Sequence, residues 1–319
     1  MCMRWARQAA LMLIAALGAC TTATAQPGEP ASAPPATDVA SPALARPFYN
    51  RGVAYYRAGQ FDLAIAEFEQ AVRLDPHSAL AYLDRGNAYS GKGDRDRAIA
   101  DFSEAIRLDP NYAYAFGNRG RAYYLKGELD RAIADLDRAI RLNPKNPIPL
   151  NTRGAVYDKK GQRDLAMADY DEAIRLDPNY VNALVNRGSD RILERQYVAG
   201  IADLDQAIRV NPKYDRAFST RGAAYVTTGQ PDRGIEDLDA AIRLNPNDAY
   251  AFNYRGFGYA AKGQNDRAIK DYDEAIRLRP DYEMAFNNRG RAYAAKHQPE
   301  LAFLDFDEAL RLHAKSRAP

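Results

Sequence analysis

The side chains that most often carry catalysis or bind metals are scarce in this 319-residue chain. His77, His297 and His313 are its only histidines, and Cys2 and Cys20 its only cysteines. Both cysteines precede residue 26, so the body that follows has neither a disulfide framework nor a cysteine metal site. No phosphate-cradling glycine loop, zinc-ligand spacing or nucleophile beside a base stands out, and the chain reads as a non-enzyme without cofactor or metal. What recurs is Arg, Asp, Tyr and Asn at regular intervals. Their chemistry is charge pairing, hydrogen bonding and flat aromatic contact, which suits recognition rather than reaction.

Charge narrows the choice of partner. The 44 basic residues against 42 acidic ones give a formal charge of +2. Arg4 and Arg7 account for that excess, and the rest of the chain is neutral. Nucleic-acid binding needs clustered, unbalanced Lys and Arg, so nucleic acid is not an expected partner.

The N-terminus reads as an address. A basic start at Arg4 and Arg7 precedes the apolar run Ala9 to Ala19, too short for a membrane span of roughly 20 residues. Residues 1–25 therefore read as a bacterial secretory signal peptide. Two cleavage readings stay open. Ala23-Thr24-Ala25 fits ordinary cleavage before Gln26, whereas Leu17-Gly18-Ala19-Cys20 resembles a lipobox that would leave a lipidated Cys20. Either way the protein is expected outside the cytoplasm, in the periplasm or on the outer membrane as a lipoprotein facing the periplasm. Residues 26–44, rich in Pro and Ala, read as a disordered linker.

From Ala45 to Ser316 the chain repeats every 34 residues without a gap, eight times. Glycine holds the eighth position of every unit, from Gly52 to Gly290. Tyrosine holds the eleventh in seven, Arg191 being the exception. The twentieth is Ala, or Gly at Gly200 and Gly234, and an aromatic or Leu follows at the twenty-fourth. Proline closes seven units, and Ala314 stands in the eighth. Apolar residues at three- and four-residue spacing predict two amphipathic helices of about 13 residues per unit. Glycine at the fifteenth position would end the first helix, and Asp at the eighteenth would suit the start of the second.

This pattern resembles the tetratricopeptide repeat (TPR). The resemblance implies an all-α fold, an α-solenoid of eight helix-turn-helix units forming a right-handed superhelix over residues 45–316, with residues 317–319 as a tail. Two charge patterns run through the units. Arg fills the seventh position and an acid the twenty-third in all eight, from Arg51 with Glu67 to Arg289 with Asp305. That predicts one inter-helix ion pair per repeat. Seven second helices also carry an acid four residues before Arg, as Asp137 before Arg141, which predicts a surface pair along the helix.

The resemblance further implies a concave groove lined by the first helices, and with it the candidate binding residues. These include the cations Arg46, Arg57, Arg121, Lys159, Arg216 and Arg291 and the aromatics Tyr49, Tyr56, Tyr114, Tyr124 and Tyr250. Asn50, Asn118, Asn186 and Asn288 form half of an asparagine ladder of the kind that grips extended peptide backbones. Tyr49 and Val53 stand where a carboxylate clamp would need Lys and Asn. A cationic groove in a neutral protein predicts an acidic partner segment. The expected role is a non-catalytic interaction scaffold for another protein of the cell envelope; the alternative is carbohydrate binding or polysaccharide assembly and export. Repeat five departs most, with Arg191, Arg195 and Gly200 at consensus positions, so it reads as drifted or as a softer hinge. At the other end Phe303, Leu304 and Leu312 predict an uncapped apolar face suited to self-association.

Overall fold

The computed structural model describes residues 41–316. The signal segment, both cleavage sites, Cys20 and nearly all of the linker lie outside the described residues. Within them the chain forms sixteen α-helices and no strand. Residues 41–176 make one compact unit and residues 177–316 a second. The first holds α1 (Pro42–Arg57), α2 (Phe61–Leu74), α3 (Ala79–Lys92), α4 (Arg95–Leu108), α5 (Ala113–Lys126), α6 (Leu129–Leu142), α7 (Pro147–Lys159) and α8 (Arg163–Leu176). The second holds α9 (Val181–Leu193), α10 (Tyr197–Val210), α11 (Asp215–Thr227), α12 (Pro231–Leu244), α13 (Ala249–Ala261), α14 (Asn265–Leu278), α15 (Glu283–Ala295) and α16 (Pro299–Ser316).

Odd- and even-numbered helices are the first and second helices of successive repeats. The first helix starts at Pro42, inside the stretch expected to be linker. Proline suits the first turn of a helix, where its missing N–H is not needed, and the Ser41 amide donates to the Leu74 carbonyl at 2.7 Å. At the other end α16 runs 18 residues because Ala314 replaces the usual proline.

Glycine fixes the hairpin of each repeat. Gly59, Gly93, Gly127, Gly161, Gly229 and Gly263 take φ between 72° and 86°, the left-handed conformation that ends the first helix. Arg195 (φ 64°) and His297 (φ 59°) hold it in repeats five and eight without that freedom. The glycine at the eighth position serves packing instead. A Cβ on Gly120 would lie 2.8 Å from Leu136 Cγ, so only glycine lets the fully buried Leu136 seat against the helix backbone. Phe68, Phe102, Tyr170, Leu204, Leu238 and Tyr272 occupy the equivalent fully buried place in other repeats.

The expected ion pair is present in all eight repeats, and it is bidentate. Nε and Nη2 of each Arg donate to the two oxygens of the acid sixteen residues on, with Nη2–O distances of 2.6–2.8 Å. Most of the carboxylates are buried, Asp135 being 7% exposed. At Asp271 burial outweighs the Arg255 bond and pushes the carboxyl above its usual range.

The remaining guanidinium nitrogen reaches the preceding repeat. Nη1 donates from Arg153 to Asp137 (2.5 Å), Arg221 to Asp205 (2.6 Å), Arg255 to Asp239 (2.7 Å) and Arg289 to Asp273 (2.6 Å). Arg119 donates instead to Ser103 Oγ at 3.0 Å. Asp137 therefore faces the next repeat, not Arg141 along its own helix as the spacing predicted. The short-range pairs along second helices lie at i,i+3, as Glu104–Arg107 and Glu172–Arg175.

A second ladder joins neighbouring hairpins. The Asp residues in the first turns of second helices accept from a lysine of the following repeat: Lys126–Asp96 at 2.6 Å, Lys160–Asp130 at 2.5 Å, and likewise Lys92–Asp62, Lys262–Asp232 and Lys296–Asp266. These pairs are exposed and individually weak. Repeats five and six lack it together, with Val198 (87% exposed) where Asp recurs and Thr228 where Lys recurs.

Repeats five and six also exchange volume. Their Gly200 and Gly234 oppose Ile192 and Val226, the only β-branched residues at the twelfth position. A Cβ on Gly200 would lie 2.8 Å from Ile192 Cγ1, and one on Gly234 2.4 Å from Val226 Cγ2. The extra side-chain carbons fill the space that Ala occupies elsewhere. Arg191, in place of Tyr, adds a second guanidinium to Asp203 at 2.8 Å. The departures are thus packed and bonded.

Three outcomes follow from this packing. Asp135→Ala leaves Arg119 without its carboxylate and should cost about 3 kcal/mol in urea unfolding; reversing both charges, Arg119→Asp with Asp135→Arg, should recover a measurable part. Arg195→Gly and His297→Gly should each add roughly 0.5–1 kcal/mol, read as a higher melting temperature. Gly200→Ala, favourable by helix propensity, should instead destabilise by about 1–3 kcal/mol, and adding Ile192→Ala should recover only part of the loss, since the new methyl also meets the Gly188 carbonyl oxygen at 2.8 Å.

Candidate functional site

The position of the first helices makes them the candidate recognition surface. Within each unit, successive first helices pack on one another as well as on the second helices between them. No pair of second helices packs comparably among the described residues. The first helices are therefore the more closely gathered side, and side chains on their free face share one surface. Nothing else competes for the role. Among the described residues no group of three His, Cys, Asp or Glu could hold a metal ion. A cleft of about 460 Å³ between repeats five and six is lined by Arg221, Asp205 and Asp237, charges already spent on each other.

In residues 41–176 the surface is built around a chain of side-chain hydrogen bonds. Tyr49 Oη donates to Asp84 Oδ2 at 2.6 Å, Asn87 Nδ2 to Asp84 Oδ1 at 3.2 Å, and Asn118 Nδ2 to Asn87 Oδ1 at 2.8 Å. Burial, and then the bond to Asp84, raises the Tyr49 pKa and keeps the phenol a donor. The ladder thus runs sideways and links repeats one to three. Around it Arg46, Asn50, Arg57, Arg121 and Lys159 are exposed, with Tyr56 (38%) and Tyr114 (55%) beside them. Tyr124 is the correction. It is 4% exposed in the cluster of Leu136, Ala155 and Val156, with Lys159 Nζ 5.6 Å from its ring, and serves packing instead of a surface.

In residues 177–316 the first helices carry more aromatic rings nearby, of which Tyr282 is buried (6% exposed) in the cluster of Ala275 and Ala285 and serves packing. The Tyr250 and Tyr254 rings lie 4.4 Å apart, and the Arg279 guanidinium sits 3.3 Å from the Tyr282 ring centroid. Asp248 caps α13 by accepting from the amides of Tyr250 (3.0 Å) and Ala251 (3.1 Å). Burial still raises its pKa. Asn288 Nδ2 donates to Asn253 Oδ1 at 3.0 Å, again sideways between repeats. Asn186 and Arg216 are half-buried, and Arg291 is exposed.

Sequence reasoning passed over Asn87 and Arg279, and also the buried Asn253 (0% exposed) and Tyr282 (6% exposed) that support the surface. Asn87 stands at a groove position but is neither charged nor aromatic. Arg279 and Tyr282 sit in the turn after a second helix, which no count along the first helix reaches. One contrast sorts the cations. Arg46, Arg57, Arg121, Lys159, Arg216 and Arg291 form no ion pair among the described residues, whereas the position-seven arginines are all paired.

Comparison with known proteins addresses the repeat directly. Family models described as "Tetratricopeptide repeat" match residues 83–147, 194–249 and 147–180, and one described as "TPR repeat" matches residues 52–93 and 258–296. A sequence search of curated proteins finds no match. Among solved structures, the chain is similar to one in the APC/C hetero-tetramer Cut9–Hcn1, with TM-score 0.70 and 21% identity. That alignment covers 77% of this chain, which spans about half (48%) of the other. A tetratricopeptide repeat protein from Parabacteroides merdae aligns with TM-score 0.57 and 24% identity, over 74% of this chain and 93% of that one. Pseudomonas aeruginosa pilF aligns with TM-score 0.56 and 18% identity, over 63% and 92%. At these identities the likeness is one of fold.

Proposed function

Because the chain belongs to the tetratricopeptide repeat family, whose repeats build scaffolds for protein–protein contact and are typically non-catalytic, we propose that it holds an acidic, extended segment of another cell-envelope protein on the face of its first helices. The first-helix cations that make no ion pair among the described residues carry the reading, Arg46, Arg57, Arg121 and Lys159 in residues 41–176 and, separately, Arg216 and Arg291 in residues 177–316. The scaffold arginines are neutralised within the fold, so the field on this face comes from side chains that have nothing else to hold. Exposed Tyr56 and Tyr114 add flat contact area beside Arg57 and Arg121, and Arg pairs carboxylates in a fixed fork. Sideways bonding of Asn118 and Asn288 assigns specificity to charge and aromatic contact more than to an asparagine grip on the peptide backbone.

The envelope location rests on the signal-like residues 1–25. A lipid on Cys20 would make residues 26–41 a tether between membrane and repeats.

The test is a cross-linked pull-down from bacterial envelope membranes, with the intact chain beside Cys20→Ser and Arg57→Glu/Arg121→Glu variants. One dominant, protease-sensitive partner should be captured by the intact chain and by Cys20→Ser. The charge-reversed variant should bind it at least about tenfold more weakly, roughly 1.4 kcal/mol, with the gap narrowing at high salt. Capture indifferent to the reversal, or retention of acidic polysaccharide in place of protein, would overturn the reading.

A further inference from the structure

The two ends of the repeat array carry the two halves of one unmade junction. Junctions within each unit share a common apolar plan. Residues at positions 21 and 28 of a second helix pack under the next first helix: Ile99 joins the cluster holding Tyr123, Ile242 the one holding Ala251, and Ile276 the one holding Ala285. In repeat one these positions are Ile65 and Val72, each 8% exposed. The covering helix offers small residues at its third and tenth positions, such as Ala81 and Ala88, which are 2% and 0% exposed. Four of these junctions are also pinned by Arg Nη1 of the covering repeat on the Asp at position 25 of the one before.

At the tail, α16 presents the first half with no cover among the described residues. Phe303 and Leu310 stand at positions 21 and 28 and are 67% and 62% exposed, and Leu304 beside them is 61% exposed. Asp307, at position 25, is exposed and has no bond or ion pair among the described residues. Its equivalents Asp137, Asp205, Asp239 and Asp273 all accept from the following repeat. At the head, α1 presents the second half. Pro47 and Ala54, at the third and tenth positions, are exposed. Arg51 bonds Glu67 through Nε and Nη2, and its Nη1 has no partner among the described residues. Proline is compatible with a closed junction, since Pro149 holds the third position of α7 and is buried there.

We propose that the tail of α16 docks under α1 of a second copy, forming an intermolecular junction in the register of the internal ones, with Asp307 accepting from Arg51. The occupant is a second copy because both the apolar relief and the charge match are those of this chain's own repeats. A partner with an unrelated surface would have to reproduce the 34-residue register to satisfy Asp307 and Phe303 together. The contact is heterologous, so each dimer keeps a free head and a free tail and association continues past the dimer unless rotation closes a ring. The Lys–Asp bridge of internal junctions has no counterpart, since Ala58 and Glu300 occupy those positions, so the contact is weaker than an internal one. It does not depend on what the first-helix face binds.

Sedimentation velocity of the full chain over a concentration series tests this. Mass should rise with concentration in whole-chain steps. Leu310→Glu at the tail and Ala54→Glu at the head should each abolish the rise, and Asp307→Arg should weaken it about tenfold. Both blocking sites are exposed, so far-ultraviolet circular dichroism and melting should match the parent chain. Mixing the Leu310→Glu and Ala54→Glu proteins supplies one open head and one open tail and should give a dimer and nothing larger. A chain that stays monomeric throughout, or association that survives Ala54→Glu while Leu310→Glu blocks it, would overturn the head-to-tail arrangement.

Discussion

The bidentate bond from the arginine at position seven to the acid sixteen residues later is the contact on which the structure is organised. It crosses the hairpin of each repeat, and in Arg119, Arg153, Arg221, Arg255 and Arg289 the third nitrogen of the same guanidinium reaches back to the repeat before. One side chain thus sets both the angle within a repeat and the spacing between repeats. Arginine suits the task because its planar fork meets two carboxylates in fixed directions, which a lysine ammonium cannot do. A well-packed apolar residue could match the net stability of such a pair. What the ion pair supplies is register. A slip of one residue along either helix would leave a carboxylate and a guanidinium facing apolar neighbours, and the cost of unpaired, poorly solvated charge rejects that alternative. An aromatic ring at position four lies under several of these arginines, as Phe48 under Arg51 at 4.6 Å.

Around this constraint the repeats tolerate exchange. Repeats five and six give up the alanine methyl at position twenty and recover its volume through Ile192 and Val226 on the opposing helix. Repeat five gives up the tyrosine at position eleven, and with it the Arg-on-ring stacking seen at Tyr89, Tyr123 and Tyr225, yet Arg191 bonds Asp203 in its place. Interiors are packed too densely for the first kind of change without the second. The hairpin conformations of Arg195 and His297 are different in kind. They keep a left-handed backbone after losing the residue best suited to it, because the surrounding helices fix the chain direction.

The same accounting of partners separates scaffold from surface. Charges inside the repeats are satisfied by other charges of the fold, in and between repeats. Arg46, Arg57, Arg121, Lys159, Arg216 and Arg291, on the first helices, are not. A neutral protein can therefore present a cationic face, since net charge says nothing about which charges are already neutralised at close range. At the ends, Asp307 and Arg51 Nη1 have no partner among the described residues, as the proposed head-to-tail junction requires.

The repeat, the two helices in each unit, the glycine that turns the hairpin and the existence of an Arg–Asp pair were all legible in the sequence. They depend on residue type and spacing within 34 residues, and eight copies made each spacing visible eight times. The start of the array was not legible, because Ser41 and Pro42 look like linker, yet Pro42 opens the first helix and the Ser41 amide before it donates to the distant Leu74 carbonyl. Nor was the true partner of Asp137, where a local i,i+4 spacing competed with a contact to the next repeat and lost. The candidate surface was only half visible. Spacing put Tyr124 on a face with Tyr49 and Tyr56, but whether a side chain at that position is covered depends on the bulk of the neighbouring repeat, here Ala155 and Val156. Asn87 and Arg279 became part of the surface, and Tyr282 part of the core beside it, only once separate repeats were brought together. Local periodicity determines which face of a helix is apolar; which polar group meets which is decided by packing between repeats, because that depends on distances no single segment contains.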